Sequence, residues 1–131
     1  MATGAASRRG IPKETPLHET GIAAEIARIA AEEAEAVGAA RVRGLRLRVG
    51  RWSGVEVESL RFALGVVGEG TPLEGCRVEV DVVEPSFACR NCLSELPADG
   101  QLDPCPVCGA LEPELAAGDE LTVVEIQVED P

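Results

Sequence analysis

The sequence predicts an α+β protein in which a three-stranded mixed sheet is packed by two helices and interrupted by an inserted lobe built on four cysteines. Three observations carry this reading. Two stretches repeat apolar residues with the period of a helix, and three others alternate apolar and polar residues with the period of a strand. Two Cys-x-x-Cys hooks fall between the second and third alternating stretches. At 131 residues the chain has room for one core and a small extra lobe, not for two conventional domains.

Residues 1–16 are small, polar and proline-containing, with nothing to bury, and read as an unstructured leader. From Leu17 the pattern changes. Ile22, Ile26, Ile29, Ala30, Ala34 and Val37 recur at helical spacing among charged residues, and Gly38 stands where a left-handed C-cap would close the helix. Leu45, Leu47 and Val49 then alternate with Arg46 and Arg48, and Gly44 allows a bulge where the phase set by Val42 slips. The run Ser53-Gly54-Val55-Glu56 reads as a capping box for a second helix, whose stripe of Val57, Leu60, Ala63, Leu64 and Val67 stops at Gly68. In a second strand Cys76, Val78, Val80 and Val82 alternate with Arg77, Glu79 and Asp81. Beyond the hooks Val124, Ile126 and Val128 alternate with Glu125, Gln127 and Glu129, acids that would sit opposite the arginines of the first strand. This assigns residues 17–84 plus 119–131 to an α+β domain and 85–118 to the inserted lobe.

The hooks are Cys89-Arg90-Asn91-Cys92 and Cys105-Pro106-Val107-Cys108, separated by twelve residues. Each two-residue spacer turns the backbone tightly enough to aim both sulfurs at one point, so the four can surround a Zn²⁺ ion tetrahedrally, as in a zinc ribbon. Pro106 stiffens its turn and Gly109 can take the left-handed position after it. Four cysteines close the coordination shell, which makes the Zn²⁺ structural rather than catalytic. The lobe's own apolar groups, Phe87, Leu93, Leu96, Leu102 and Leu111, are too few to order it without metal. An odd total of five cysteines, four of them in hooks, indicates metal ligation in a reducing compartment, and so a cytoplasmic protein. The fifth, Cys76, lies on a strand's apolar face and reads as a small hydrophobe.

Charge excludes other classes. The net charge of −11 repels phosphate backbones, and Trp52, Phe62 and Phe87 are the only aromatics, so there is no nucleic-acid partner to expect. No apolar run reaches membrane-spanning length. Ser7-Arg8-Arg9-Gly10 has a twin-arginine look, but charged, proline-bearing residues follow where a targeting signal needs an apolar core. There is no Ser/His/Asp or Cys/His set and no phosphate-binding glycine loop, so the chain reads as a non-enzyme.

One histidine remains. His18 opens the first helix between Leu17 and Glu19, a place where a lone histidine is ordinarily a capping or surface residue. However, Leu17-His18-Glu19 at a helix start, Val57-Glu58-Ser59-Leu60-Arg61-Phe62, Gly70-Thr71, Leu73 to Val80 and the two hooks, in that order, resemble the HypA/HybF family. These are nickel metallochaperones of [NiFe]-hydrogenase maturation, and the resemblance covers residues 17–129. It implies that transported Ni²⁺ binds at His18, with Glu19 and the backbone of Leu17 as further ligands, apart from the zinc site. It also implies a nickel-handling GTPase and the [NiFe]-hydrogenase large-subunit precursor as partners, with urease maturation proteins as a second set. Nitrogen donors in a tetragonal array suit Ni²⁺. The family's chains typically begin Met-His-Glu, whereas Leu17 is internal and its nitrogen is a peptide amide. A leucine codon serving as the start codon would reconcile the two by beginning translation at position 17. Glu56 could approach the same site, but its place in the capping box explains it without a metal. The alternative to nickel delivery is a zinc-ribbon protein-interaction module in which His18 is inert.

Overall fold

The computed structural model describes residues 2–10, 19–97, 99 and 102–129. Its elements in chain order are β1 (Ala2–Gly10), α1 (Glu19–Ala36), β2 (Val42–Gly50), α2 (Val57–Gly68), β3 (Arg77–Val83), β4 (Ser86–Cys89), β5 (Glu95–Leu96), β6 (Pro113–Ala117) and β7 (Leu121–Glu129). The main sheet has the order β1-β7-β2-β3, and β5-β4-β6 form a separate small sheet inserted between β3 and β7. Strands β2 and β3 are parallel, which requires the crossover that α2 provides, while β7 runs antiparallel to β2.

Both helices cover one face of the main sheet. Ile22, Ile26 and Ile29 of α1, Leu60 and Leu64 of α2, Leu45, Leu47 and Val49 of β2, and Val123, Ile126 and Val128 of β7 form one buried cluster. Each fully buried side chain of this size stabilises the fold by roughly 1.5–3 kcal/mol relative to exposure. The outer face carries the charges. Arg46 pairs with Glu79 across β2 and β3 at 3.0 Å, and Arg43 pairs with Glu129 of β7, so acids of both neighbouring strands meet the arginines.

The leader expected over residues 1–16 is not what residues 2–10 form. They make β1, which runs antiparallel along the outer edge of β7 from Ala2↔Glu129 to Gly10↔Thr122. Main-chain pairing needs no apolar stripe, so the absence of one was no obstacle; the sheet gains a fourth strand. Residues 11–16 lie outside the described residues.

Local differences have local causes. The bulge at Gly44 appears as a register shift between Val42 and Gly44. A second shift, opposite Arg46 and Leu47, bulges β7 at Val124. Val123 is therefore buried and Val124 only partly so, against the expected alternation. At the first helix's end Gly38 has φ +74° as expected, but Val37 is exposed, lying past the last helical residue. On the sheet's far edge β3 is covered only in part, and Val82 stays exposed.

Candidate functional site

The sulfurs of Cys89, Cys92, Cys105 and Cys108 all lie within 4.8 Å of one another. Cys89 Sγ is 3.6 Å from Cys108 Sγ, and Cys92 Sγ is 3.7 Å from Cys105 Sγ. A tetrahedron of sulfurs about 2.3 Å from a central Zn²⁺ has edges of about 3.8 Å, so the donor set fits that ion. Cys89 and Cys105 are buried, Cys92 is half-buried and Cys108 is exposed.

The two hooks are built alike. In the first, the Leu93 N–H donates to the Cys89 carbonyl at 2.7 Å and the Cys89 N–H to the Ser94 carbonyl at 2.8 Å. In the second, the Gly109 N–H donates to the Cys105 carbonyl at 2.8 Å and the Cys105 N–H to the Ala110 carbonyl at 2.7 Å. Both need a left-handed residue after the second cysteine. Gly109 takes it at φ +79° without strain, whereas Leu93 takes it at φ +66°.

Donors surround the sulfurs. Ser94 Oγ lies 3.2 Å from Cys92 Sγ, Asn91 Nδ2 donates to Cys108 Sγ at 3.3 Å, and the Val107 N–H points at Cys105 Sγ from 3.4 Å. The Ser94 hydroxyl and N–H lower the Cys92 pKa, the N–H groups of Cys108 and Val107 lower that of Cys105, and the Asn91 amide lowers that of Cys108. At Cys89 the N–H groups of Cys92 and Asn91 pull downward, but burial and the adjacent sulfurs push the thiol up to about 11. The surrounding donors thus favour the thiolate at Cys92, Cys105 and Cys108, and a dication would favour it at all four. Asn91 and Ser94 were not anticipated; the signal was present as donor-bearing residues within and just after the first hook.

Where the lobe joins the sheet, main-chain bonds tie both of its ends to the end of β2. The Gly50 N–H reaches the Glu120 carbonyl at 2.7 Å, the Arg51 N–H the Val83 carbonyl at 2.9 Å, and the Trp52 N–H the Gly118 carbonyl at 2.7 Å. Trp52 also meets Phe87 of β4 edge to face, centroids 5.6 Å apart at 68°. Cys76 stands away from the hooks and just ahead of β3 rather than within the strand, with burial raising its thiol to about 11.

The second candidate lies at the start of α1. Leu17 and His18 are outside the described residues; Glu19 is the first residue of α1. Its carboxylate lies 3.5 Å from the Glu56 N–H, so the beginnings of the two helices meet. Beside them an open groove of about 480 Å³ is lined by Glu19, Thr20, Glu58, Ser59, Phe62 and Val66, among others. Ser53 does not cap α2. Glu56 itself is the N-cap, accepting from the Ser59 N–H at 2.9 Å, because the turn held by Ser53 Oγ and the Val55 N–H ends before the helix begins. If capping is the role of Glu56, Glu56→Ala lowers the denaturation midpoint by an amount equivalent to about 1 kcal/mol and leaves nickel titrations unchanged.

Comparison with known proteins adds independent information. The family described as "Hydrogenase/urease nickel incorporation, metallochaperone, hypA" matches residues 17–128. A hydrogenase maturation factor HypA of Methylocella silvestris is 34% identical over 113 residues, 86% of this chain and 100% of that protein. Its counterpart in Geotalea daltonii is 38% identical over 112 residues, 86% of this chain and 99% of that protein. Among solved structures, the Ni metallochaperone HypA from Helicobacter pylori superposes with a TM-score of 0.66 at 14% identity, over 87% of this chain and 99% of that one. A second HypA structure gives 0.75 at 13% identity, over 88% of this chain and 99% of that one. At such identities these two likenesses concern the fold.

Proposed function

Because the chain belongs to the HypA family of hydrogenase/urease nickel incorporation metallochaperones, we propose that it binds Ni²⁺ at the start of α1 and delivers it to the large subunit of a [NiFe]-hydrogenase. His18 supplies the imidazole, with Glu19 and the backbone of Leu17 beside it. Delivery runs with a nickel-handling GTPase, and urease maturation proteins form a second set of clients. The observation that carries the reading is the family match itself, which begins at Leu17 and so includes the Leu-His-Glu run. Glu19 supports it. Its contact with the Glu56 N–H fixes the residue next to His18 at an accessible place, with Glu58 close by along the groove. The four hook cysteines hold a structural Zn²⁺, whose closed shell leaves no position for chemistry. No described helix is long and apolar enough to cross a membrane.

A second reading rests on the lobe's surface, where Leu93, Leu102, Val107 and Leu111 are exposed. Apolar groups gathered on a small zinc-bound lobe suit a protein-interaction module that delivers no nickel. Equilibrium dialysis of Ni²⁺ against the full chain and His18→Ala separates the two. The expected result is at least a tenfold loss of affinity in the variant, about 1.4 kcal/mol, with the four-cysteine site unaffected. Equal binding by both proteins removes the nickel assignment from His18.

A further inference from the structure

We propose that the outer edge of β7 is a strand-accepting surface, covered by β1 of the same chain, which pairs with β7 of a second copy when β1 withdraws. The main sheet ends in β1 on one side and β3 on the other. The β3 edge is protected by its own chemistry: Arg77, Glu79 and Asp81 punctuate it, and the Arg61 guanidinium donates to the Val78 carbonyl. The β7 edge also carries Glu125, Gln127 and Glu129, and what covers it is β1. Without it, a strand of nine residues would present its outward N–H and C=O groups to solvent. β1 lies before residue 17, where the family match starts, so the cover is an addition to the shared fold.

The sequence of β1, Ala-Thr-Gly-Ala-Ala-Ser-Arg-Arg-Gly, is poor in the β-branched and aromatic residues that favour strands. Its pairing with β7 is made by main-chain bonds of a kind that any extended segment offers. The pattern of β7 suits a second β7. Val123, Ile126 and Val128 are buried and Leu121 is half-buried, and the bulge at Val124 makes these positions symmetric about the Val124–Glu125 midpoint. Two copies pairing antiparallel about that midpoint set Val123 opposite Ile126 and Leu121 opposite Val128. Glu125 then faces Val124 rather than its own copy, while Glu120 meets Glu129 at each end of the seam, where Arg43 of the same chain already pairs with Glu129. The result is an isologous interface that continues one sheet across a two-fold axis.

Sedimentation equilibrium tests this on the chain lacking residues 1–16, against the full chain. The truncated protein is expected to double its mass as concentration rises, while the full chain keeps the single-chain 13.7 kDa. A synthetic peptide of residues 1–16, in excess, is expected to return the dimer to single chains. Truncation removes Arg8, Arg9 and Lys13 against one acid, Glu14, so the net charge becomes more negative and charge neutralisation cannot drive the association. A truncated chain that stays at single-chain mass overturns the proposal, as does a full chain that dimerises equally. Should circular dichroism find the truncated chain unfolded, full-length Ala5→Pro/Ala6→Pro replaces it, with the same two outcomes. Neighbouring strand residues aim their N–H groups oppositely, so this pair removes one β1–β7 bond whichever the phase.

Discussion

Cys105→Ser is expected to abolish tight Zn²⁺ binding and to unfold the lobe from Ser86 to Ala117 while the main sheet stays folded. The lobe has almost no core of its own. Its buried cluster is Cys89, Leu96 and Cys105, so two of the three members belong to the four-sulfur group. Of the apolar residues expected to help, Leu93 is 78% exposed, Leu102 86% and Leu111 59%. β4 and β6 are joined by antiparallel pairing with little packing behind it, so a Zn²⁺ held by the four sulfurs would dominate their stability; structural Zn²⁺ sites contribute roughly 10–16 kcal/mol in small zinc domains. Hydrogen exchange read by mass spectrometry checks this. Amides of β4 and β6 should exchange at unfolded-chain rates in the variant, and in the unaltered chain after chelation, while those of β2 stay protected. Retained protection in the lobe after metal loss would mean that its packing suffices.

Gly50→Ala is the second large effect, an expected loss of about 3 kcal/mol or more in denaturant unfolding. A Cβ at Gly50 would lie 2.2 Å from both the C and the O of Gly118 and 2.5 Å from the Asp119 nitrogen. All three are main-chain atoms, so no rotamer change relieves the clash. Relief would require parting β2 from the returning strand at the point where the Gly50, Arg51 and Trp52 N–H groups grip both ends of the lobe. Gly65 provides the control. It lies inside α2 with nothing within 4 Å of a built Cβ, so Gly65→Ala should gain about 0.5–1 kcal/mol through helix propensity. Equal, small effects at both positions would show that the junction yields easily.

What could be read from the sequence was whatever leaves a local pattern. Hook spacing confines each pair of sulfurs to four residues, so the gathering of Cys89, Cys92, Cys105 and Cys108 was legible, and so was the separation of Cys76 from them. The stripes of both helices were legible for the same reason. The strand from Leu121 was misphased because the bulge at Val124 is a property of its pairing with β2, not of its own composition. β1 was invisible because its residues carry no strand-type alternation, and backbone pairing needs none. Glu56 was assigned to a capping box one turn too early, since glutamate is an uncommon N-cap and Ser53 a common one. Leu93 shows the converse. Nothing marks a leucine as left-handed, yet the hook geometry imposes that conformation, at a cost of about 1 kcal/mol.

The ion pairs on the sheet's outer face have a consequence for how a cation arrives. Exposed pairs such as Arg46–Glu79 and Arg51–Glu84 stabilise the fold little, but they neutralise that side of the molecule. The negative charge is then concentrated elsewhere, in equal parts on α1, with five glutamates against Arg28 alone, and on the inserted lobe, with Glu95, Asp99, Asp103, Glu112 and Glu114 against Arg90 alone. The resulting field is lopsided. It favours any cation on the helical side and over the lobe rather than over the sheet's outer face, and ionic strength screens that preference.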